Sequence, residues 1–238
     1  MARLGRYFIE GQPLHVIQRG NDGKAIFFSD DDHVRYRDWL AEAAGRNGLK
    51  VHAYVLMPNH VHLLATPATA GSLPATMQSL GRRYVRHVNL RHRRSGTLWE
   101  GRYRACPIDS EEYFVSCCLY IELNPLRARM VAHPRNHRWS SYRAHAEGKQ
   151  DPLAQFHNAF RRLGRSLDER QSAWRALIRE RLDPAFVEAL RAATNGGWAM
   201  GGARFRQEIE EATRRRAAPL PPGPRPAALR DPRQIRLL

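Results

Sequence analysis

Acidic residues are in short supply: the 238-residue chain carries 23 Asp and Glu against 39 Lys and Arg, a formal charge of +16. That imbalance says nothing of the fold but points to a polyanionic partner, most simply nucleic acid. Cysteine is scarcer still. Cys106, Cys117 and Cys118 form no C-x-x-C pair and no framework spacing, which argues against a disulfide scaffold and against structural zinc. No apolar run reaches the length of a spanning helix, so an anionic membrane is the weaker partner. The stretch Met1–Arg6 lacks the apolar core of a signal peptide. These absences together suit a reduced, cytoplasmic protein of one substantial domain, with or without an appended piece.

Against that background one run stands out, Tyr54-Val55-Leu56-Met57-Pro58-Asn59-His60-Val61-His62-Leu63-Leu64. It reads as a strand, a two-residue turn and a second strand. Side chains alternate along a strand, so His60 and His62 share one face with Val61 on the other. Two imidazoles about 7 Å apart on a rigid strand are well placed to share a divalent ion. A packed or solvated pair is the competing reading for His-x-His taken alone. With Pro58-Asn59 as the loop, Val55 lies opposite His62 and Leu56 opposite Val61. Strict alternation then sets His52 on the other face, as a packed or edge histidine rather than a third ligand.

Leu14–Arg19 reads as a first strand, stopped by Gly20-Asn21-Asp22-Gly23. Ser29 or Asp30 can cap a helix through about Arg46, with Val34, Trp39, Leu40 and Ala43 on its apolar side. After the hairpin, Met77, Leu80, Tyr84 and Val88 give the buried stripe of a helix over about 72–93. Around its other side cluster Arg82, Arg83, Arg86, His87, Arg91, His92, Arg93 and Arg94, with almost no acid nearby. A solvated face normally mixes signs, so phosphate contact is the expectation, giving affinity rather than sequence specificity. A further strand over about 102–108 leads to a helix opened by Asp109 and Glu112 as a capping box.

That helix holds a second constellation. Phe114, Cys117, Cys118 and Ile121 form its apolar stripe, and Tyr120 has Asn124 one turn beyond it. Tyr113 has Cys117 in the equivalent place and reads as packing. A tyrosine can attack phosphorus when a cation offsets the charge building on the phosphate. Asn offers a neutral carbonyl oxygen as a third ligand beside two imidazoles, though Pro125 disfavours helical geometry at Asn124. The order strand, helix, strand, strand, helix, strand, helix predicts an α+β fold with a ferredoxin-like, split βαβ antiparallel sheet.

Three stretches then resemble one family: Tyr54–His62, Gly96-Thr97-Leu98-Trp99-Glu100-Gly101-Arg102, and Tyr120-Ile121-Glu122-Leu123-Asn124-Pro125-Leu126-Arg127-Ala128. They are similar to the REP-associated tyrosine transposases, single-tyrosine members of the HUH (His-hydrophobic-His) group. The resemblance spans roughly residues 6–145. It implies Tyr120 as nucleophile and His60, His62 and Asn124 as metal-site residues. It also implies Mg²⁺ or Mn²⁺ as cofactor, single-stranded or hairpin DNA as substrate, and a 5′-phosphotyrosine intermediate in DNA transposition. Candidate DNA-contacting side chains are Arg19, Arg82, Arg83, Arg86, Arg93, Arg94, Arg102 and Arg104.

Three other readings compete. A non-catalytic nucleic-acid-binding module accounts for fold and charge, but its sheet should carry stacking aromatics where this one carries histidines. A replication or conjugation initiator shares the chemistry but usually brings a larger partner domain. Zinc-dependent hydrolysis leaves Tyr120 without a role. Beyond the first domain, residues 151–216 read as a helical extension that selects the DNA, guards the site or simply packs on the sheet. Phe156, Phe160 and Leu163 mark one helix there, Trp174, Leu177 and Ile178 another, and Asp183-Pro184 opens a third. Residues 217–238, dense in Pro and Arg, read as a disordered basic tail. No protein partner is evident; the oligomeric state stays open, with a lean to a monomer.

Overall fold

In the computed structural model, residue 7 and residues 9–109, 112–180 and 182–220 are described. Of the tail expected over 217–238, residues 221–238 lie outside them, as do the first six residues; Ala217, expected in the tail, is instead buried, its carbonyl accepting from Ala199 N (2.8 Å).

Strand β1 (Leu14–Arg19) runs into a short 3-10 turn at Asn21–Gly23 and then helix α1 (Asp30–Asn47). The start of α1 is set by a capping box: Asp32 N donates to Ser29 Oγ (3.3 Å), and Ser29 N donates back to the Asp32 carboxylate (3.0 Å). Three consecutive acids in its first turn complement the helix dipole. Gly48, at φ 66°, ends it in the left-handed region that glycine tolerates. Strands β2 (Leu49–Met57) and β3 (His60–Pro67) form the hairpin, with Val55 opposite His62 and Leu56 opposite Val61 as the alternation requires.

Helix α2 (Ser72–Arg91) buries Met77, Leu80, Tyr84 and Val88. It stops short of the expected Arg93, which takes a positive φ of 49° that a helix cannot continue. Strand β4 (Arg104–Pro107) completes a sheet of order β2-β3-β1-β4, antiparallel at every junction. This is the split βαβ arrangement, α+β, with β3 between β1 and β2.

The chain continues as α3 (Phe114–Glu122), α4 (Asn124–Arg127), α5 (Tyr142–Glu147), α6 (Asn158–Arg161), α7 (Leu167–Arg179), α8 (Pro184–Gly196) and α9 (Ala203–Thr213). Helix α3 is continuous from Phe114, and Tyr113 N donates to Asp109 O (3.0 Å), a helical i,i+4 bond that reaches back to the expected cap residue. Ile108 N donates to Pro13 O and Asp109 N to Met200 O (both 2.9 Å), tying the start of this segment to neighbouring chain.

The two faces of the sheet carry different layers. Val16, Val61 and Leu63 pack under α1 and α2, while Leu64, Val55 and Cys106 share a second core with α3 and the C-terminal helices. Glu122 pins that second layer. Fully buried, its carboxylate accepts from Ser141 Oγ (2.6 Å), His145 Nδ1 (2.7 Å) and Trp174 Nε1 (2.9 Å), tying α3 to α5 and α7. The helix that carries Tyr120 is therefore fixed from three sides.

His52 departs from its expectation in placement though not in role. The register of β2 slips between Val51 and Ala53, a bulge that turns His52 onto the face of His62 rather than away from it. Its Nδ1 meets Gln155 O and its Nε2 meets Thr66 Oγ1, both at 2.9 Å, so both ring nitrogens are engaged in holding the extension to the sheet.

Candidate active site

His60 and His62 project from β3 toward the α3 layer, with ring centroids 5.0 Å apart. Each has its Nδ1 engaged. His60 Nδ1 meets Asn59 Oδ1 at 2.6 Å, and His62 Nδ1 meets His15 Nε2 at 2.9 Å. That leaves the two Nε2 atoms for a ligand, the pattern of an oriented metal-binding histidine. Burial holds the rings neutral, as a ligand must be. It lowers His60 to about 4, with the Arg19 charge adding to the effect. His62 lies well below its ordinary value, first by burial and then by the neighbouring His15 and His60.

Tyr120 comes from α3 to meet this group. Only 4% exposed, its ring stands edge-on to His62 at 5.7 Å and to His15 at 5.8 Å. Two cations attend it. Arg127 lies with its guanidinium 5.0 Å from the ring centre, and Arg191 lies beside the Tyr120 hydroxyl. Arg191 belongs to α8, one turn before Thr194, and is braced by Glu188 at 2.9 Å. The Tyr120 hydroxyl and the Glu188 carboxylate both raise its pKa.

Asn124 lies one helical turn after Tyr120. At the break between α3 and α4 its Nδ2 donates to Tyr120 O (3.1 Å), which leaves the amide oxygen as its acceptor end. Among the described residues no three His, Cys, Asp or Glu side chains form a metal cluster by themselves. Two neutral imidazoles with their Nδ1 atoms engaged, plus an amide oxygen, nonetheless fit a divalent cation in donor type. Tyr113, seven residues before Tyr120, stacks on Phe186 at 5.8 Å and is packing, as expected.

The arginines expected to contact DNA separate into two sets. Arg19, Arg102 and Arg104 line a cleft with Ile17, Glu100 and Asn195 on the histidine side of the sheet. Arg19 is the register partner of His60, so this cleft borders the site directly. The Gly96–Arg102 motif builds its wall: Glu100 N donates to Arg19 O (2.8 Å) and the Glu100 carboxylate sits 3.6 Å from Arg19 Nε. Gly101, at φ 78°, turns the chain back toward β4. Arg82, Arg83 and Arg86 lie on α2, in the layer under the opposite face, with Arg93 and Arg94 just past its end.

The α2 cluster also has more acidic company than its own sequence suggests. Arg83 pairs with Glu42 at 2.6 Å, Arg91 lies 3.9 Å from Asp31, and His87 and His92 both reach Asp32 at 3.0 Å. All three acids come from α1, so local charge counting missed them.

Sequence reasoning also missed His15, Arg127, Arg191 and Thr194. His15 alternates with Ile17 and Arg19 in a strand that was legible, but only the sheet order places it beside His62. Arg127 stood inside the quoted motif, seven residues after Tyr120. Arg191 and Thr194 come from α8, over seventy residues away in sequence, and carry no local signal.

The chain is similar to known proteins in sequence profile and in fold. The profile of the IS200-like transposases matches residues 10–124. A solved REP-associated tyrosine transposase bound to a REP hairpin superposes with a TM-score of 0.54 at 15% identity, covering 66% of this chain and 93% of that one. A Deinococcus radiodurans R1 chain, provisionally described as a transposase, gives a TM-score of 0.35 at 22% identity, covering 57% of this chain and 98% of its own. No curated protein matches the chain by sequence. Residues 10–124, which hold the sheet, both histidines, Tyr120 and Asn124, are similar to the IS200-like transposase family over just under half of the chain.

Proposed function

We propose that the protein is a metal-dependent DNA strand transferase that nicks and rejoins single-stranded or hairpin DNA through a 5′-phosphotyrosine at Tyr120. One observation carries the reading: the Tyr120 ring packs edge-on to His62 while the guanidiniums of Arg127 and Arg191 lie beside it. A packing tyrosine needs neither.

His60, His62 and Asn124 would hold Mg²⁺ or Mn²⁺ through two Nε2 atoms and an amide oxygen. A cation bound there supplies a Lewis acid for a non-bridging oxygen of the scissile phosphate. The imidazole donors favour Mn²⁺ in vitro. Arg127 and Arg191 stabilise the tyrosyl oxygen as its proton leaves and remain beside the charge that builds on the phosphate. The Tyr120 oxygen attacks phosphorus, its new bond forming as the bond to the 3′-oxygen breaks. That oxygen takes up a proton through solvent, the equivalent of the one Tyr120 gives up, and departs as a free 3′-hydroxyl. Attack by a 3′-hydroxyl on the phosphotyrosine reverses the step and restores the tyrosine. One phosphoester replaces another each time, so no external energy source is needed.

The cleft of Arg19, Arg102 and Arg104 is placed to hold backbone phosphates beside the scissile one. A palindromic hairpin as substrate follows the hairpin-bound protein of the same fold. Tyr120 meets the histidines of its own chain, which favours attack in cis by a monomer.

The test incubates end-labelled single strands carrying palindromic repeats with the protein, in Mn²⁺ or EDTA, and resolves products on a denaturing gel. A metal-dependent covalent adduct is expected. Binding without adduct on several hairpins would leave only a DNA-binding module.

A further inference from the structure

The bond between His15 and His62 is the start of a longer chain whose proton directions can be worked out from its far end. His15 Nδ1 lies 2.8 Å from Thr194 Oγ1, and Thr194 Oγ1 lies 2.8 Å from Leu190 O. A carbonyl only accepts, so the single hydroxyl proton of Thr194 goes to Leu190 O. Thr194 Oγ1 must then accept from its other neighbours, His15 Nδ1 and Cys106 Sγ, the latter at 3.3 Å. One donor and two lone pairs are thereby all used.

His15 therefore carries its proton on Nδ1. Being a buried, neutral ring, it presents a bare Nε2 to His62. His62 must supply the proton across that 2.9 Å contact from its own Nδ1, which strips its Nε2 of hydrogen. The opposite tautomer would set two lone pairs against each other between the rings and put a proton where a cation should bind.

We propose that Thr194 and His15 are positioning residues that lock His62 in its Nδ1–H tautomer and so hold its Nε2 lone pair ready for a divalent cation. Thr194 sits at the end of α8, so the C-terminal extension completes the site that β3 and α3 begin. The role toward a cation rests on the proposed function; the tautomer does not. Arg191, three residues before Thr194, brings the same helix to Tyr120, so α8 serves both ends of the site.

The test uses full-length, metal-free protein with ¹⁵N-labelled histidine, assigning the protonated nitrogen of His62 by NMR, alongside Mn²⁺ affinity by calorimetry. In the wild type, His62 is expected wholly as Nδ1–H. Thr194→Val, which keeps the shape and loses the hydroxyl, should give a mixture of tautomers and weaken Mn²⁺ binding by roughly 10- to 100-fold. Thr194→Ser should restore both. His15→Phe tests the same lock from the other side if the valine variant does not fold. A wild-type His62 protonated on Nε2, or tautomer and affinity unmoved in Thr194→Val, would overturn the proposal. Wild-type protein that binds no Mn²⁺, yet whose His62 tautomer follows Thr194, would sink the metal reading and leave the lock standing.

Discussion

The Tyr120 ring meets His62 edge-on, with centroids 5.7 Å apart and planes at 89°. That contact joins a residue of β3 to one of α3 across the second core, and it puts a phenol with two arginines beside it next to a pair of neutral imidazoles. Replacing Tyr120 with Phe keeps the ring and removes the proposed nucleophile. Adduct formation should fall by at least about 1000-fold, while thermal stability moves by no more than about 1 kcal/mol, the value of a lost hydrogen bond. Residual adduct at wild-type levels would move the nucleophile elsewhere.

Arg127 and Arg191 approach Tyr120, the proposed nucleophile, from α4 and α8. Losing one donor to a developing charge typically costs about 10²–10³ in rate. Arg191→Ala should therefore slow adduct formation by that order in single-turnover kinetics, with hairpin affinity changed far less. Equal losses in affinity and rate would instead make Arg191 a phosphate contact.

The two arginine sets should separate in a salt titration. Arg102→Ala and Arg104→Ala, in the cleft beside His60, should each weaken hairpin binding and lower the slope of log affinity against log salt by roughly 1. Arg83→Ala should change little, because its guanidinium already pairs with Glu42 on the opposite layer. A larger loss from Arg83 than from Arg102 would place the DNA on the helical face of α1 and α2.

Acid should destabilise the fold in a defined window. Burial lowers His15 to about 3 and His52 and His60 to about 4, against an ordinary value near 6.5. A depressed folded pKa means that the unfolded chain takes up more protons as pH falls through that value. Stability is thus fully present above about pH 6.5 and declines toward pH 4, each such histidine contributing up to about 1.4 kcal/mol per pH unit. Urea midpoints at pH 7 and pH 5 measure it, and equal midpoints would contradict the burial of these rings.

Glu122 offers a stability test that leaves the chemistry aside. Its buried carboxylate accepts three side-chain hydrogen bonds from α5, α7 and the residue before α5. Truncation to Ala strands those donors and should cost roughly 3–5 kcal/mol, read as a shift in the denaturation midpoint. A shift under about 1 kcal/mol would mean that water replaces the carboxylate.

Much of this arrangement was legible because it is local. Alternation along Leu14–Arg19 and the Pro58-Asn59 turn give the strands and their register, and three-and-four spacing gives the buried stripe of α2. His60, His62 and Tyr120 were singled out by the same route, two on one strand face and one on a helix. What stayed hidden depends on other parts of the chain. The bulge that turns His52 and the α1 acids that meet the α2 arginines both arise from neighbours far away in sequence. His15 and Thr194 are hidden most completely, since their roles exist only once β1 lies beside β3 and α8 packs behind both.

The central claim is a covalent bond between Tyr120 and DNA, and mass spectrometry of the trapped adduct tests it most directly. After nuclease and trypsin digestion, the peptide Ala105–Arg127 should carry a nucleotide through its 5′-phosphate, with fragment ions assigning it to Tyr120 and only in samples that contained metal. A nucleotide on Tyr113, a 3′-phosphate linkage, or an unmodified peptide from a reaction that cut the DNA would contradict the account.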